Sequence, residues 1–365
     1  MMQSLTRPQP GALADAPPAL PRTRAHTTVF IYAGLAIVVL FAVGGSAYWV
    51  NHNVVLVGRD AAGHLEQSIL VAKALASRSW QGLFEATVLD EYRPPGLYLL
   101  TQPAYWLFGR DRQIALIPNI AMLGAVVVLT FVLARKVAGN RLALFAALLV
   151  SLLPMAAAMA RLYYMETLLT TALLLALLAL LKSDGFAARR WALAWGAGLG
   201  VMLLVKWTTP IYLLVPVLYV LWRHGFWRAQ RRALRSPAVD WPRALLSLAA
   251  AGALALLWYL PNRTYVHDQS MLLGDWLPLL WTLIFAAAFY ALTLRNSSRV
   301  ANFWSALLLA VAVASIWYLP RIGFLGRLSD VAFGTDRGQQ EAWDPLQLAM
   351  YTRYLGFWVT TTWAR

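Results

Sequence analysis

Charged residues divide this chain into long apolar runs, and no other feature limits its fold so sharply. Stretches without a single Asp, Glu, Lys or Arg cover residues 29–50, 113–134, 142–160, 167–181, 191–205, 207–222, 244–262, 276–294 and 300–320. Crossing about 30 Å of hydrocarbon at roughly 1.5 Å per residue takes about 20 residues in a helix. The shorter runs reach that length through flanking side chains that snorkel. The runs lack strand alternation, and in lipid only a helix satisfies its own backbone groups without neighbouring strands. The expectation is an all-α integral membrane bundle of about nine transmembrane helices. Composition agrees: 60% of the 365 residues are hydrophobic and 13% are charged, against about half and a quarter in soluble domains.

The distribution of charge orients the bundle. With the N-terminus inside, the cytoplasmic pieces are the tail and the loops 135–141, 182–190, 223–243 and 295–299, which are rich in Arg and Lys. Of the 16 acidic residues, those pieces hold only Asp15, Asp184 and Asp240. Such a bias is what the positive-inside rule describes. It accounts for the net charge of +15 without nucleic acid, which a soluble chain of this charge would bring to mind. Residues 1–28 read as a disordered cytoplasmic tail rich in Pro and Ala. The run after them is too long for a signal-peptide core. The absence of Cys excludes disulfides, thiolate metal sites and a cysteine nucleophile. The chain carries no Walker A sequence, no paired metal-ligand histidines and no nucleophile elbow.

The first external loop, residues 51–112, is long enough to be functional, and its apolar patches at 65–76 and 97–108 read as amphipathic helices on the membrane surface. Several charged residues at this outer rim could carry chemistry. Asp60, in Gly58-Arg59-Asp60-Ala61-Ala62-Gly63-His64, is either a general base on an acceptor hydroxyl or the N-cap of a helix. In a helix His64 would lie one turn further along the same face, in a positioning role. Glu166, in Ala160-Arg161-Leu162-Tyr163-Tyr164-Met165-Glu166, is an acid close to the hydrocarbon. It is either functional or ion-paired with Arg161. Lys206 interrupts an otherwise continuous apolar run, and either binds phosphate as a point charge or marks a helical-hairpin turn. Arg93 precedes Pro94 and Pro95, which stiffen the turn that aims it. Arg263 follows a helix-ending proline on the same side. Trp258-Tyr259-Leu260-Pro261 recurs at Trp317-Tyr318-Leu319-Pro320 and reads as an aromatic belt closed by a proline. The basic loop with Arg228, Arg231, Arg232 and Arg235 reads as lying against anionic headgroups.

Taken in order, GRDAAGHL, YRPPGLYLL, ARLYYMETLL, LVKWTTPIYLL and WYLPNR resemble the GT-C superfamily of membrane glycosyltransferases. The nearest likeness is to bacterial relatives of protein O-mannosyltransferases and aminoarabinose transferases. The chain departs from the family in having one acid where many relatives have two, Arg93 where a His often stands, and Glu166 where Asp is usual. The resemblance implies a GT-C-like catalytic domain over residues 29–322 in the bacterial inner membrane. Residues 323–365 read as an external segment and further helix of a shortened chain. It further implies transfer of a sugar, with inversion, from a polyprenyl-phosphate donor to a lipid, glycan or protein acceptor on the external face. In that reading Asp60 and Glu166 are catalytic, and Arg93, Lys206, His64, Arg161, Tyr163 and Arg263 bind substrate. No cofactor or metal is indicated, although a divalent cation stays open. A transporter or lipid flippase, or an inactive homologue, is the competing reading. A transporter would be expected to show broken helices at mid-membrane depth, whereas these charges sit at the rim.

Overall fold

A computed structural model describes residues 22–53, 59–90, 93–235, 249 and 298–318. The described residues form helices, turns and loops, with no strand among them. In chain order the helices are α1 (Arg22–His52), α2 (Arg59–Ala76), α3 (Trp80–Val88), α4 (Gly96–Phe108), α5 (Arg112–Leu152), α6 (Pro154–Arg161), α7 (Glu166–Lys182), α8 (Arg189–Val205), α9 (Thr209–Arg223), α10 (Phe226–Arg235) and α11 (Ser298–Tyr318).

Stretches within α1, α5 and α11 are each long and apolar enough to cross a membrane. The pair α6 and α7, bent by 116° across a short break, meets the same test together. The chain is a multi-pass membrane protein. Seven of the nine expected spans fall on these helices, and those at 244–262 and 276–294 lie, residue 249 apart, outside the described residues.

The second and third spans join in one element with a reversal inside it. Gly139 has φ 76° and ψ 177°, a left-handed backbone that a glycine adopts at no steric cost. The two arms of α5 both pack on α1. Leu123, Val127 and Phe131 of the first arm share a buried cluster with Ala143 and Ala147 of the second and with Ile31, Leu35 and Val38 of α1. The third span is not one continuous helix. Leu153 is extended (φ −66°, ψ 117°) and α6 restarts at Pro154, whose ring bars an uninterrupted helix.

Small residues set the closest crossing, between α8 and α11. A Cβ on Gly196 would lie 2.0 Å from the Ala306 carbonyl oxygen, and one on Gly200 would lie 2.7 Å from Val313 Cβ. Apolar side chains gain little from leaving lipid for a helix interface, so close backbone approach through glycines four apart is what brings such helices together. At the basic end of the bundle Phe186, Trp195, Phe226 and Phe303 meet edge to face.

The loop at the other end is compact. α2 and α4 lie where the apolar patches predict, and α3, which the sequence reading lacks, starts behind Ser79, whose Oγ accepts from Gly82 N. On α2 the buried residues Ala61, His64, Ser68, Val71 and Ala72 follow helical spacing and face the loop's own helices rather than lipid. Gln102 Nε2 of α4 donates to the Ser68 carbonyl of α2 at 3.2 Å. Gly96 brings the start of α4 onto α8, where a Cβ would meet the Leu204 carbonyl oxygen at 2.6 Å.

Candidate active site

Four helix junctions meet at the end of the bundle opposite Lys182, and each contributes a charged or polar side chain. The first is the start of α2. Asp60 lies inside the first turn rather than ahead of it, so the N-cap alternative is replaced by a different contact: Arg93 Nη2 lies 3.5 Å from Asp60 Oδ1. The Asp60 side chain is 68% exposed, so the pair is solvated and weak.

Arg93 comes from the second junction, the turn between α3 and α4. Asp90 shapes that turn: its Oδ1 accepts from Arg93 N at 2.8 Å and its Oδ2 accepts from Tyr98 Oη at 3.3 Å. An Asp side chain that caps a backbone N–H a few residues ahead is a common way to fix a turn. From α11, Trp317 Nε1 donates to the Asp90 carbonyl at 3.3 Å, and Tyr318 Oη donates to the Leu203 carbonyl at 3.1 Å. Trp317 and Tyr318 of the second Trp-Tyr-Leu-Pro copy therefore bond inward to the bundle, and the Leu and Pro that follow lie outside the described residues. Trp317 is 1% exposed and ties α11 to the site, while the first copy lies outside the described residues.

The third junction is the loop between α6 and α7. Asn119, fully buried on α5, donates from Nδ2 to the carbonyls of Leu162 and Tyr164 at 3.0 and 2.9 Å. The Tyr163 hydroxyl shares a 2.6 Å hydrogen bond with Thr101 of α4. These anchors place Glu166 at the first turn of α7. The fourth junction is the break between α8 and α9. Lys206 is extended there, and Thr209 Oγ1 donates to the carbonyls of Met202 and Lys206 at 2.9 and 2.7 Å, which satisfies the helix end where the backbone ladder stops. Lys206 Nζ lies 3.0 Å from Glu166 Oε1, whereas Glu166 Oε2 is buried with no hydrogen-bond partner.

His64 lies close enough to Arg93, Asp60 and Glu166 to feel their charges. Its ring is 4% exposed, and Nδ1 is 2.9 Å from Tyr98 Oη. The edge of Tyr164 stands 5.9 Å away, centroid to centroid. Burial first, and then the Arg93 guanidinium, lower its pKa to about 4. The carboxylates of Glu166, Asp90 and Asp60 act weakly in the other direction. His64 is therefore neutral at physiological pH, and it senses every acid of the site.

The structure thus brings together Asp60, Arg93, His64, Glu166 and Lys206. It places Arg161 elsewhere, with Nε 3.4 Å from Ser46 Oγ and the guanidinium over the Trp49 ring of α1, so the Glu166–Arg161 pair that the sequence allows is not formed. Tyr163 is buried at 1% exposure, between α4 and the α6–α7 loop. Arg263 lies outside the described residues. Asp90, Tyr98 and Asn119 were not singled out from the sequence. For Asp90 a signal existed, an acid three residues ahead of an Arg-Pro-Pro turn. Among the described residues no group of three or more His, Cys, Asp or Glu is arranged to hold a metal ion.

An apolar cavity of about 480 Å³ opens beside this cluster, lined by Leu123, Met155, Met159, Tyr164, Glu166 and Thr170 among others. Among the described residues that line it, Glu166 is the single charged one. A carboxylate in the wall of an otherwise apolar pocket suits an amphiphile whose polar head stays at the cluster.

Residues 92–258 match the family model of dolichyl-phosphate-mannose-protein mannosyltransferases. No curated protein matches the chain. Among solved structures the chain is similar to ArnT from Cupriavidus metallidurans in the apo state, at 16% identity over 82% of this chain and 78% of that one, with a TM-score of 0.38. A likeness of that size fixes no correspondence between residues. From Arg93 to Lys206 the site falls within the matched segment, and there the chain resembles the membrane glycosyltransferases of the GT-C superfamily.

Proposed function

We propose that this chain transfers a sugar from a polyprenyl-phosphate donor to an acceptor, at the membrane face that carries Asp60. The observation that supports it most is the meeting of two carboxylates and two cations from four separate junctions near one buried histidine, with Glu166 also lining an apolar cavity. A phosphate-linked lipid sugar needs cations for its phosphate, an apolar berth for the first isoprene units, and a base for the incoming hydroxyl.

In this reading Arg93 and Lys206 exchange their carboxylate partners for donor phosphate. The exposed Arg93–Asp60 pair is worth roughly 0–1 kcal/mol, so that exchange costs little. That exchange frees Asp60 to accept the acceptor's proton. The acceptor oxygen attacks the anomeric carbon from the side opposite the phosphate. The carbon–oxygen bond to phosphate breaks with inversion, and the electron pair leaves on a phosphate oxygen held by the two cations. Phosphate leaves without protonation, so no general acid is required, unlike ordinary glycoside hydrolysis. Glu166 orients sugar or acceptor hydroxyls. Placement in the bacterial inner membrane with the N-terminus inside, and hence transfer on the external face, is part of the same proposal.

The test is the full-length protein in nanodiscs with a labelled polyprenyl-phosphate sugar. Wild type should release carrier phosphate, and Asp60→Asn should release none while folding normally. An Asp60→Asn protein with wild-type turnover rejects the base assignment. Movement of the labelled lipid across vesicles without cleavage would replace the transferase reading with a transporter.

A further inference from the structure

We infer that Asp90 acts through Tyr98 to hold His64 as the Nδ1–H tautomer, so that His64 presents a bare Nε2 as hydrogen-bond acceptor to a hydroxyl of the bound sugar. This rests on the transferase reading for the ligand, but not for the tautomer.

The direction of each hydrogen bond follows from how many protons are present. Asp90 Oδ2 lies 3.3 Å from Tyr98 Oη, and a carboxylate only accepts, so the single phenolic proton points at Asp90. The Tyr98 oxygen is then left with lone pairs for its other neighbour, His64 Nδ1 at 2.9 Å. That contact is a hydrogen bond only if Nδ1 carries the proton. Asp90 itself is fixed by Arg93 N at 2.8 Å on its other oxygen and by Trp317 on its carbonyl. Tyr98 is 1% exposed and His64 4%, so water has little room to replace either link, while Nε2 is not among the fully buried atoms left without a partner. Gln102 Nε2 holds the Tyr98 carbonyl at 2.7 Å, and Tyr164 meets the histidine ring by its edge. A neutral imidazole has one donor and one acceptor, and the bond made by one nitrogen sets the role of the other. Asp60 and Glu166 also face the cluster, but these acids can only accept from a sugar hydroxyl when ionised. A neutral imidazole accepts through Nε2 without adding negative charge beside the leaving phosphate.

Asp90 and Tyr98 are in this scheme positioning residues, and the tautomer is the property a merely structural role would not move. The chain has 5 histidines, so nitrogen-15 NMR of histidine-labelled full-length protein in nanodiscs can resolve them, with His64→Gln assigning the signal. Wild type at neutral pH should show Nδ1 protonated and Nε2 bare. Asp90→Asn should reverse this: its one carbonyl oxygen stays on Arg93 N, its amide turns to the phenol oxygen, and Tyr98 must then donate to His64. Tyr98→Phe, which removes the partner outright, should give a mixture. A protonated Nε2 in wild type, or an Asp90→Asn protein with an unchanged tautomer, overturns the relay. If Asp90→Asn fails to fold, the wild-type spectrum and the Tyr98→Phe variant still decide. For the ligand, a farnesyl-phosphate-linked hexose should shift the Nε2 signal, and farnesyl phosphate alone should not. Consumption of the hexose probe with Nε2 unmoved overturns the hydroxyl contact and leaves the transferase reading standing. A probe neither bound nor consumed overturns both.

Discussion

At the scale of single residues, the site is made of lone charges in apolar surroundings, which is why part of it was legible. Asp60, Arg93, Glu166 and Lys206 each interrupt an apolar or turn segment, where a charge stands out, and for Glu166, set close to the hydrocarbon, it costs enough to need a partner. Which partner each takes was not legible. The sequence offered Arg161 for Glu166, five residues away, but the bend after α6 sends Arg161 to α1 and brings Lys206 from 40 residues along the chain. The Asp90–Tyr98–His64 chain was hidden for the same reason, since it exists only once α2 and α4 pack. Two outcomes belong at this scale. Lys206→Met removes one cation and leaves Glu166 unpaired, and should raise the KM for donor about tenfold, corresponding to ~1.4 kcal/mol. Steady-state kinetics over a range of donor concentrations measures it. His64 gives a pH dependence. Its folded pKa of about 4 lies below the ordinary 6.5, so between those values the unfolded chain binds a proton that the folded one does not. Stability is complete above about pH 6.5 and falls by on the order of 3 kcal/mol as the pH drops toward 4. Thermal denaturation at pH 7 and pH 4.5 should show the loss, and His64→Gln should flatten it.

At the scale of elements, the apolar runs told where helices lie and the charges told where they end, because both follow from the cost of burying charge in lipid. The breaks inside runs were less visible. Pro154 and Leu153 divide what reads as one span, and the short α3 carries too few residues for a clear period. Close crossings were also hidden, since a glycine in a membrane helix does not announce its neighbour. They lead to a sharp contrast. Gly196→Ala drives a Cβ into the Ala306 carbonyl, backbone against backbone, and should cost a few kcal/mol. Gly198→Ala meets Ala176 at an ordinary 3.6 Å and should be neutral. Melting temperatures in detergent distinguish the two. Asn119→Ala leaves two loop carbonyls without their donor, at about 1–3 kcal/mol, and should lower transfer through Glu166 more than it lowers the melting temperature.

At the scale of the whole molecule, orientation is the property that charge bias predicts and that helix packing alone does not reveal. The absence of Cys makes it directly measurable, since any engineered thiol is the only one present. Ser77→Cys, on the exposed turn after α2, should react with an impermeant maleimide on intact cells. Arg232→Cys, on the exposed face of α10, should react only after permeabilisation. The reverse result inverts the topology and moves the site to the cytoplasm.

The two ion pairs carry one more consequence, for turnover. In the proposed reaction the donor reaches Arg93 and Lys206 as a phosphodiester with a single negative charge. The spent carrier departs as a monoester, closer to two negative charges near neutral pH. The same two cations then grip what must leave more firmly than what must enter. Dissociation of the spent carrier becomes the slow step, and a burst of the first product followed by a slower steady rate is the kinetic trace it should leave.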